Sequence, residues 1–193
     1  MYRRYIKSLL DYLIALIVLP FVLLLMVIIA PAIYFNNPGP IFYNASRLGK
    51  NGKIFKMFKF RSMYVNAPDL RNEDGSTYNS EKDPRVTKIG GILRKTSMDE
   101  LPQIFNILKG DMSFIGPRPG LPDTAYSSEE QKRRKVKPGI TGFSQALFRN
   151  SDSMEERMRN DIYYVEHISF HLDIYILFMT VKSVVCRKNI YRN

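Results

Sequence analysis

Tyr12 to Phe35 is a run of 24 residues without a charged or strongly polar side chain. A helix that crosses a bilayer needs about 20 apolar residues, so the run is long enough. Arg3, Arg4 and Lys7 precede it, and Arg47, Lys50, Lys53, Lys56, Lys59 and Arg61 follow it closely. Three readings compete. A cleaved signal peptide fits the basic start and Ala30-Pro31-Ala32, but its apolar core usually runs only about 7–15 residues. A spanning helix puts the two basic flanks on opposite faces. A re-entrant hairpin keeps both on the cytoplasmic face, as the positive-inside tendency prefers. Pro20 lacks an N–H and its ring crowds the preceding turn, which predicts a break there. At ~1.5 Å per residue, Tyr12–Leu19 and Phe21–Ala30 each cover half of a hydrocarbon core. A re-entrant helix broken at Pro20 is the favoured reading, with a proline-kinked span as the alternative.

The 193 residues suffice for one medium globular domain plus this segment. We therefore divide the chain into a membrane-inserted part, residues 1–36, and a domain at the cytoplasmic face, residues 37–193. Lys and Arg number 29 against 18 Asp and Glu, a formal charge of +11. That excess suits an anionic partner without choosing between lipid, phosphorylated substrate and nucleic acid. No nucleic-acid motif accompanies it. Cys186 is the only cysteine, which excludes an internal disulfide. Together with His167 and His171 it makes a poor zinc set.

Asn36-Asn37-Pro38-Gly39-Pro40 ends the apolar segment as a turn cluster. Ile41–Tyr43 and Ile54–Phe60, joined through Asn51-Gly52, predict a β-hairpin with aromatic residues on one side and lysines on the other. Tyr64–Pro84 reads as a mobile polar loop. Helices are expected over Gly91–Lys95 and Asp99–Lys109, the second ended by Gly110. Gly116–Pro119 and Lys137–Gly142 read as rigid, turn-rich loops. Glu155–Glu166 and Phe170–Arg187 close the chain as helices, the last able to lie in a membrane interface. The fold class is α+β and mostly helical.

The densest chemistry is Arg94-Lys95-Thr96-Ser97-Met98-Asp99-Glu100, followed by Gly116-Pro117-Arg118-Pro119. A helix N-terminus favours anions, which lowers a carboxylate's pKa and attracts phosphate. Asp99 is thus expected to be ionised, as a nucleophile must be, and carboxylates do form covalent phosphoryl intermediates. Glu100 beside it suits Mg²⁺. Arg94 and Arg118 suit phosphate oxygens. The competing structural reading is a helix cap: Ser97-x-x-Glu100 fits a capping box, and Asp99 is itself a plausible N-cap.

The chain resembles the bacterial sugar transferase family, the monotopic phosphoglycosyltransferases. The likeness is carried in order by Asp11, Pro38–Phe42, Lys59–Met63, Asp83–Thr87 and Arg94–Gln103. It continues through Asn106–Ser113, Phe114–Pro119, Lys137–Gly142 and Asp161–Tyr164. The resemblance implies a bacterial inner-membrane enzyme with its site on the cytoplasmic face. Asp99 would attack the β-phosphate of a UDP-sugar, releasing UMP, and undecaprenyl phosphate would then take the phosphosugar. Glu100 would hold Mg²⁺. Arg94, Arg118, Lys59, Arg61 and Arg149 would meet phosphate or nucleotide. UDP-sugar, undecaprenyl phosphate and membrane lipids are the implied partners. Whether the chain forms a homodimer stays open. Leu19-Pro20 replaces the family's frequent Ser-Pro, and Phe148-Arg149-Asn150 its Gly-Arg-Asn, so the sugar preference cannot be copied from relatives.

Overall fold

In the computed structural model, residues 1–72, 78–80, 82–122, 127–128, 130–148 and 153–186 are described. A wide helical turn, Tyr2–Ile6, leads into α1, Lys7–Asn36. Together they form the one helix, among the described residues, long and apolar enough to cross a membrane. The helix is not interrupted at Pro20, and Pro20 and Pro31 both lie inside it. A proline removes one backbone bond, but the bonds on either side can carry the helix past it.

Asp11, Ala15, Val22, Ile29 and Ile33 are buried, a stripe at four- and seven-residue spacing along α1. Ala15 and Val22 pack with Phe55, Met57, Ile104 and Met112, while Ile29 and Ile33 pack with Phe60 and Leu93. The rest of α1 presents apolar side chains outward, among them Ile17, Phe21, Leu24, Val27, Ile28 and Phe35. So the segments on both sides of Pro20 rest on the same globular body.

The hairpin forms as the sequence predicts. Strand β1, Phe42–Leu48, pairs antiparallel with β2, Ile54–Phe60, with Phe42 opposite Phe60 and Tyr43 opposite Lys59. Asn51 and Gly52 adopt positive φ at its tip, the geometry this residue pair accepts. One expectation needs correcting. Lys50, Lys53 and Lys56 are exposed, but Lys59 shares the inward face of Phe55 and Met57 and turns into the protein.

Helix α2 spans Lys88–Thr96, opened by Thr87, whose side chain accepts from the Gly90 N–H. A 3₁₀ turn, Met98–Gln103, then leads into the short α3, Ile104–Leu108. Pro102 explains why the expected α-helix starts as a tighter turn. Gly110, at φ +82°, ends it as expected.

Strands β3, Ser113–Ile115, and β4, Gly139–Thr141, pair in parallel. Only three residues each, they are too short to show alternation, so Lys137–Gly142 carries no strand signal although β4 lies within it. Then come α4, Phe143–Leu147, α5, Met154–Glu166, and α6, Phe170–Val185. A capping box of Ser153 and Glu156 opens α5. The outward face of α6 carries the exposed apolar residues Ile174, Phe178 and Val181.

Asp173 ties α6 to the start of α1 and to α5. It accepts from Tyr2 Oη at 2.6 Å, Lys7 Nζ at 2.8 Å and Tyr164 Oη at 2.8 Å. The segment expected to be a mobile loop is partly pinned. Arg85 is buried, pairs with Asp83 at 2.7 Å, and donates to the carbonyls of Pro68 and Tyr78.

Candidate active site

Asp99 sits on the 3₁₀ turn, and Ser97 determines how the chain arrives there. Ser97 lies in the left-handed region at φ 59° and ends α2, its N–H donating back to Leu93 and Arg94 carbonyls. Its side chain makes no cap on the following turn. The capping-box reading therefore fails: Ser97 is a helix stop. It reverses the chain so that Asp99 and Glu100 face the end of β2.

Lys59 comes from that strand end. Its Nζ donates to Glu100 Oε1 at 2.5 Å and stands 3.9 Å from Asp99 Oδ2. Asp99 is buried, 9% exposed. Burial pushes its carboxyl above the ordinary value; Lys59 and Arg94 pull it back and Glu100 pushes it further up. The expectation of a lowered pKa is thus corrected. A short 3₁₀ turn supplies little helix dipole, and loss of water outweighs it.

Arg94 is held by its Nε donating to Ser62 Oγ at 2.9 Å. Gly90 makes this docking possible. A Cβ there would come 1.8 Å from the Ser62 carbonyl oxygen, so only glycine lets α2 lie against that backbone. Asn106, fully buried, fixes the other side. Its Oδ1 accepts from the Phe58 N–H at 2.9 Å, and its Nδ2 donates to the Lys56 carbonyl at 2.8 Å. A side-chain amide here continues the β2 ladder, locking α3 to the strand that carries Lys59.

Arg61 has another task than the one expected. Its guanidinium donates to Asn37 Oδ1, to the Asn37 carbonyl and, at 2.5 Å, to the Pro40 carbonyl. It clamps the end of α1 to the hairpin. Arg118 is exposed, on the loop after β3, beside a shallow basic recess with Arg133 and Arg134. Burial lowers the Arg47 guanidinium below its usual value, Tyr43 opposes this, and Arg118 adds repulsion. The structure thus gathers Lys59, Arg94, Asp99 and Glu100, and places Arg118 with Arg47. Arg149 lies outside the described residues.

Asn106 and Ser62 were missed in the sequence. Both occur inside strings that carried the resemblance, but neither is a residue type that announces chemistry.

Whether these residues fit Mg²⁺ can be judged from the donors. Among the described residues no group of three or more His, Cys, Asp or Glu converges. Two adjacent carboxylates fit Mg²⁺ held jointly with substrate phosphates, its usual mode, and not an all-protein cage.

Residues 2–187 match the family model described as bacterial sugar transferase. The chain belongs to the bacterial sugar transferase family. It is 38% identical over 203 residues to UDP-glucose:undecaprenyl-phosphate glucose-1-phosphate transferase of Escherichia coli, covering 98% of this chain and 42% of that protein. It is 35% identical over 189 residues to UDP-N-acetylgalactosamine-undecaprenyl-phosphate N-acetylgalactosaminephosphotransferase of Aeromonas hydrophila, covering 94% and 44%. Exopolysaccharide production protein ExoY of Sinorhizobium fredii is 37% identical over 194 residues, covering 94% and 86%. The chain therefore spans less than half of some relatives and most of a shorter one.

Proposed function

We propose that this sugar transferase moves a sugar-1-phosphate from a UDP-sugar to a polyprenyl phosphate such as undecaprenyl phosphate. The observation that carries the reading is the adjacent Asp99–Glu100 pair, aimed at Lys59 and Arg94 by a tight turn. Two relatives whose names state that reaction on different sugars support the class and leave the sugar open.

In this reading an Asp99 carboxylate oxygen attacks the β-phosphorus. The bond from that phosphorus to the bridging oxygen breaks, and UMP leaves with the electron pair. A polyprenyl phosphate oxygen then attacks the same phosphorus, the bond to Asp99 breaks, and the carboxylate is restored. Lys59 and Arg94 hold Asp99 in its anionic form against burial and offset the diphosphate charge. Glu100 would hold Mg²⁺ together with the diphosphate, and the ion would neutralise charge developing on the leaving UMP.

We read residues 1–36 as an anchor whose two ends lie on one, cytoplasmic, membrane face, and residues 37–193 as the catalytic domain. Support comes from both ends of α1 meeting the same body: Lys7 at Asp173 and Ile33 at Phe60 and Leu93. A helix whose ends lay on opposite faces would have to drag that body through the bilayer. The cytoplasmic bacterial membrane is the matching location, and assembly of a surface glycan the matching purpose.

The test is UMP release by detergent-solubilised protein given Mg²⁺, undecaprenyl phosphate and a panel of UDP-sugars, beside Asp99→Asn. UMP from one or more sugars, and none from the variant, is expected. Wild-type release from Asp99→Asn would remove the assignment.

A further inference from the structure

Lys59, the cation shared by Asp99 and Glu100, stands directly opposite Tyr43 across the hairpin. Opposed residues of an antiparallel pair share a face, with Cβ atoms about 4.5–5.5 Å apart. Tyr43 therefore rises beside the lysine whose Nζ lies 3.9 Å from Asp99 and 2.5 Å from Glu100. Tyrosine and lysine side chains reach similarly far from the backbone. A group bound against the Lys59 ammonium is thus within a side chain's length of the Tyr43 hydroxyl.

On either side of this pair the hairpin is covered. Ala45 and Met57, opposite each other and next along the same face, are buried in the core with Phe55. In the other direction Arg61 is buried, and Ile41 packs on the cluster of Phe60 and Leu93. Between them Tyr43 is 60% exposed, and the Lys59 side chain keeps 19% of its surface open. The packed face of the hairpin opens where Lys59 meets the carboxylates.

An exposed tyrosine on its own is ordinary. Tyr43 differs in its surroundings. Its hydroxyl makes no hydrogen bond to any described residue. Lys59 flanks it across the hairpin, and Arg47, four residues on along the same face, is close enough for the two groups to feel each other. Cations on two sides draw an anion to this opening. A phenol O–H is a donor that such an anion accepts, and hydrogen bonds to charged oxygens are the stronger kind.

We infer that Tyr43 contacts substrate, its hydroxyl donating to a phosphate oxygen of the group held at Lys59. The inference rests on the transferase reading for what that group is. Two phosphates qualify, the diphosphate of the nucleotide-sugar and the phosphate of the polyprenyl acceptor. The O–H bond stays intact throughout: Tyr43 binds and orients.

The test uses the full chain in detergent with Mg²⁺, as wild type, Tyr43→Phe, Tyr43→Ala and Asn44→Ala. Tyr43→Phe removes one exposed oxygen, so thermal unfolding should not change. Asn44, the exposed neighbour on the opposite face of β1, is the control. Binding of UDP and of farnesyl phosphate, a short polyprenyl phosphate, is titrated separately by calorimetry. KM for each substrate in UMP release is measured on the same samples. Tyr43→Phe should weaken one of the two probes about tenfold or more, the loss expected of a hydrogen bond to a charged group. Tyr43→Ala should lose at least as much, and the KM of the matching substrate should rise in step. Weaker UDP assigns the bond to the donor, and weaker farnesyl phosphate assigns it to the acceptor. Asn44→Ala should leave both unchanged. If Tyr43→Phe binds both probes as wild type does, the inference is overturned, even where Tyr43→Ala loses affinity, because the ring would then be responsible. An equal loss in Asn44→Ala would overturn it too. Failure of the transferase reading looks different: a probe still binds and weakens in Tyr43→Phe, but no UDP-sugar yields UMP.

Discussion

Lys59 Nζ stands 3.9 Å from Asp99 Oδ2 while bonded at 2.5 Å to Glu100. One cation thus serves both carboxylates, reaching them from a strand on which neighbouring inward residues are apolar. Burial pushes Asp99 up and Lys59 is the largest opposing influence. Lys59→Met should therefore raise the Asp99 pKa further, moving the acid limb of the pH–rate profile to higher pH. At acid pH the loss should exceed tenfold, and it should shrink as pH rises and Asp99 ionises regardless. A profile that keeps its shape and merely drops would show that Lys59 acts on substrate alone.

Glu100→Gln should keep the fold, because its side chain is partly exposed and amide replaces carboxylate at equal size. It removes a charged oxygen from the expected Mg²⁺ position. The Mg²⁺ concentration for half-maximal UMP release should rise about tenfold or more, as expected for loss of one charged ligand. An unchanged Mg²⁺ curve would place the ion elsewhere.

Gly90→Ala tests how Arg94 is held. Its Cβ would meet Ser62 backbone at 1.8 Å, and backbone cannot rotate aside as a side chain can. Overpacking of this kind costs typically about 1–3 kcal/mol. Thermal unfolding should fall accordingly, and UMP release should fall more than stability alone explains, since α2 carries Arg94. Gly91, with open space at its Cβ, is the control: Gly91→Ala should leave both nearly unchanged.

Asp83→Ala would leave Arg85 buried among carbonyls without its carboxylate. Removing one partner of a buried pair costs roughly 3–5 kcal/mol. The Arg85 guanidinium holds the Pro68 carbonyl, so limited trypsin cleavage after the nearby Arg71 should be much faster in the variant. A cleavage rate equal to wild type would mean that segment is held by other means.

The sequence disclosed what periodicity and turn chemistry encode. Asn51-Gly52 predicts the hairpin because both residues tolerate positive φ, and α5 and α6 follow from their patterns. It did not disclose the three-residue strands β3 and β4, whose pairing comes from tertiary contact. Ser97 was misread for a definite reason: Ser followed three residues later by Glu is a capping pattern whether the serine starts a helix or stops one. The Asp99 pKa was misjudged because burial is set by β2 and α2 closing over the turn. Arg61 resembles a phosphate ligand by type and position, and only its geometry reveals a clamp on Asn37 and Pro40. Pro20 predicts a break, yet helical geometry persists through it, supported along the packed stripe.

The topology reading can be checked by labelling. In a Cys186→Ser background, Ser8→Cys lies in the first turn of α1 and Asn37→Cys just past its end. In sealed inverted vesicles an impermeant maleimide should reach both. Labelling of Asn37→Cys alone would make α1 a span.

The most direct test of the central claim is intact-protein mass spectrometry after incubation with UDP-sugar and Mg²⁺ but no polyprenyl phosphate. A mass gain of one phosphosugar, mapped to the peptide holding Asp99 and discharged on adding undecaprenyl phosphate, is the predicted result. UMP formed only when acceptor is present, with the protein unmodified throughout, would contradict a nucleophilic Asp99.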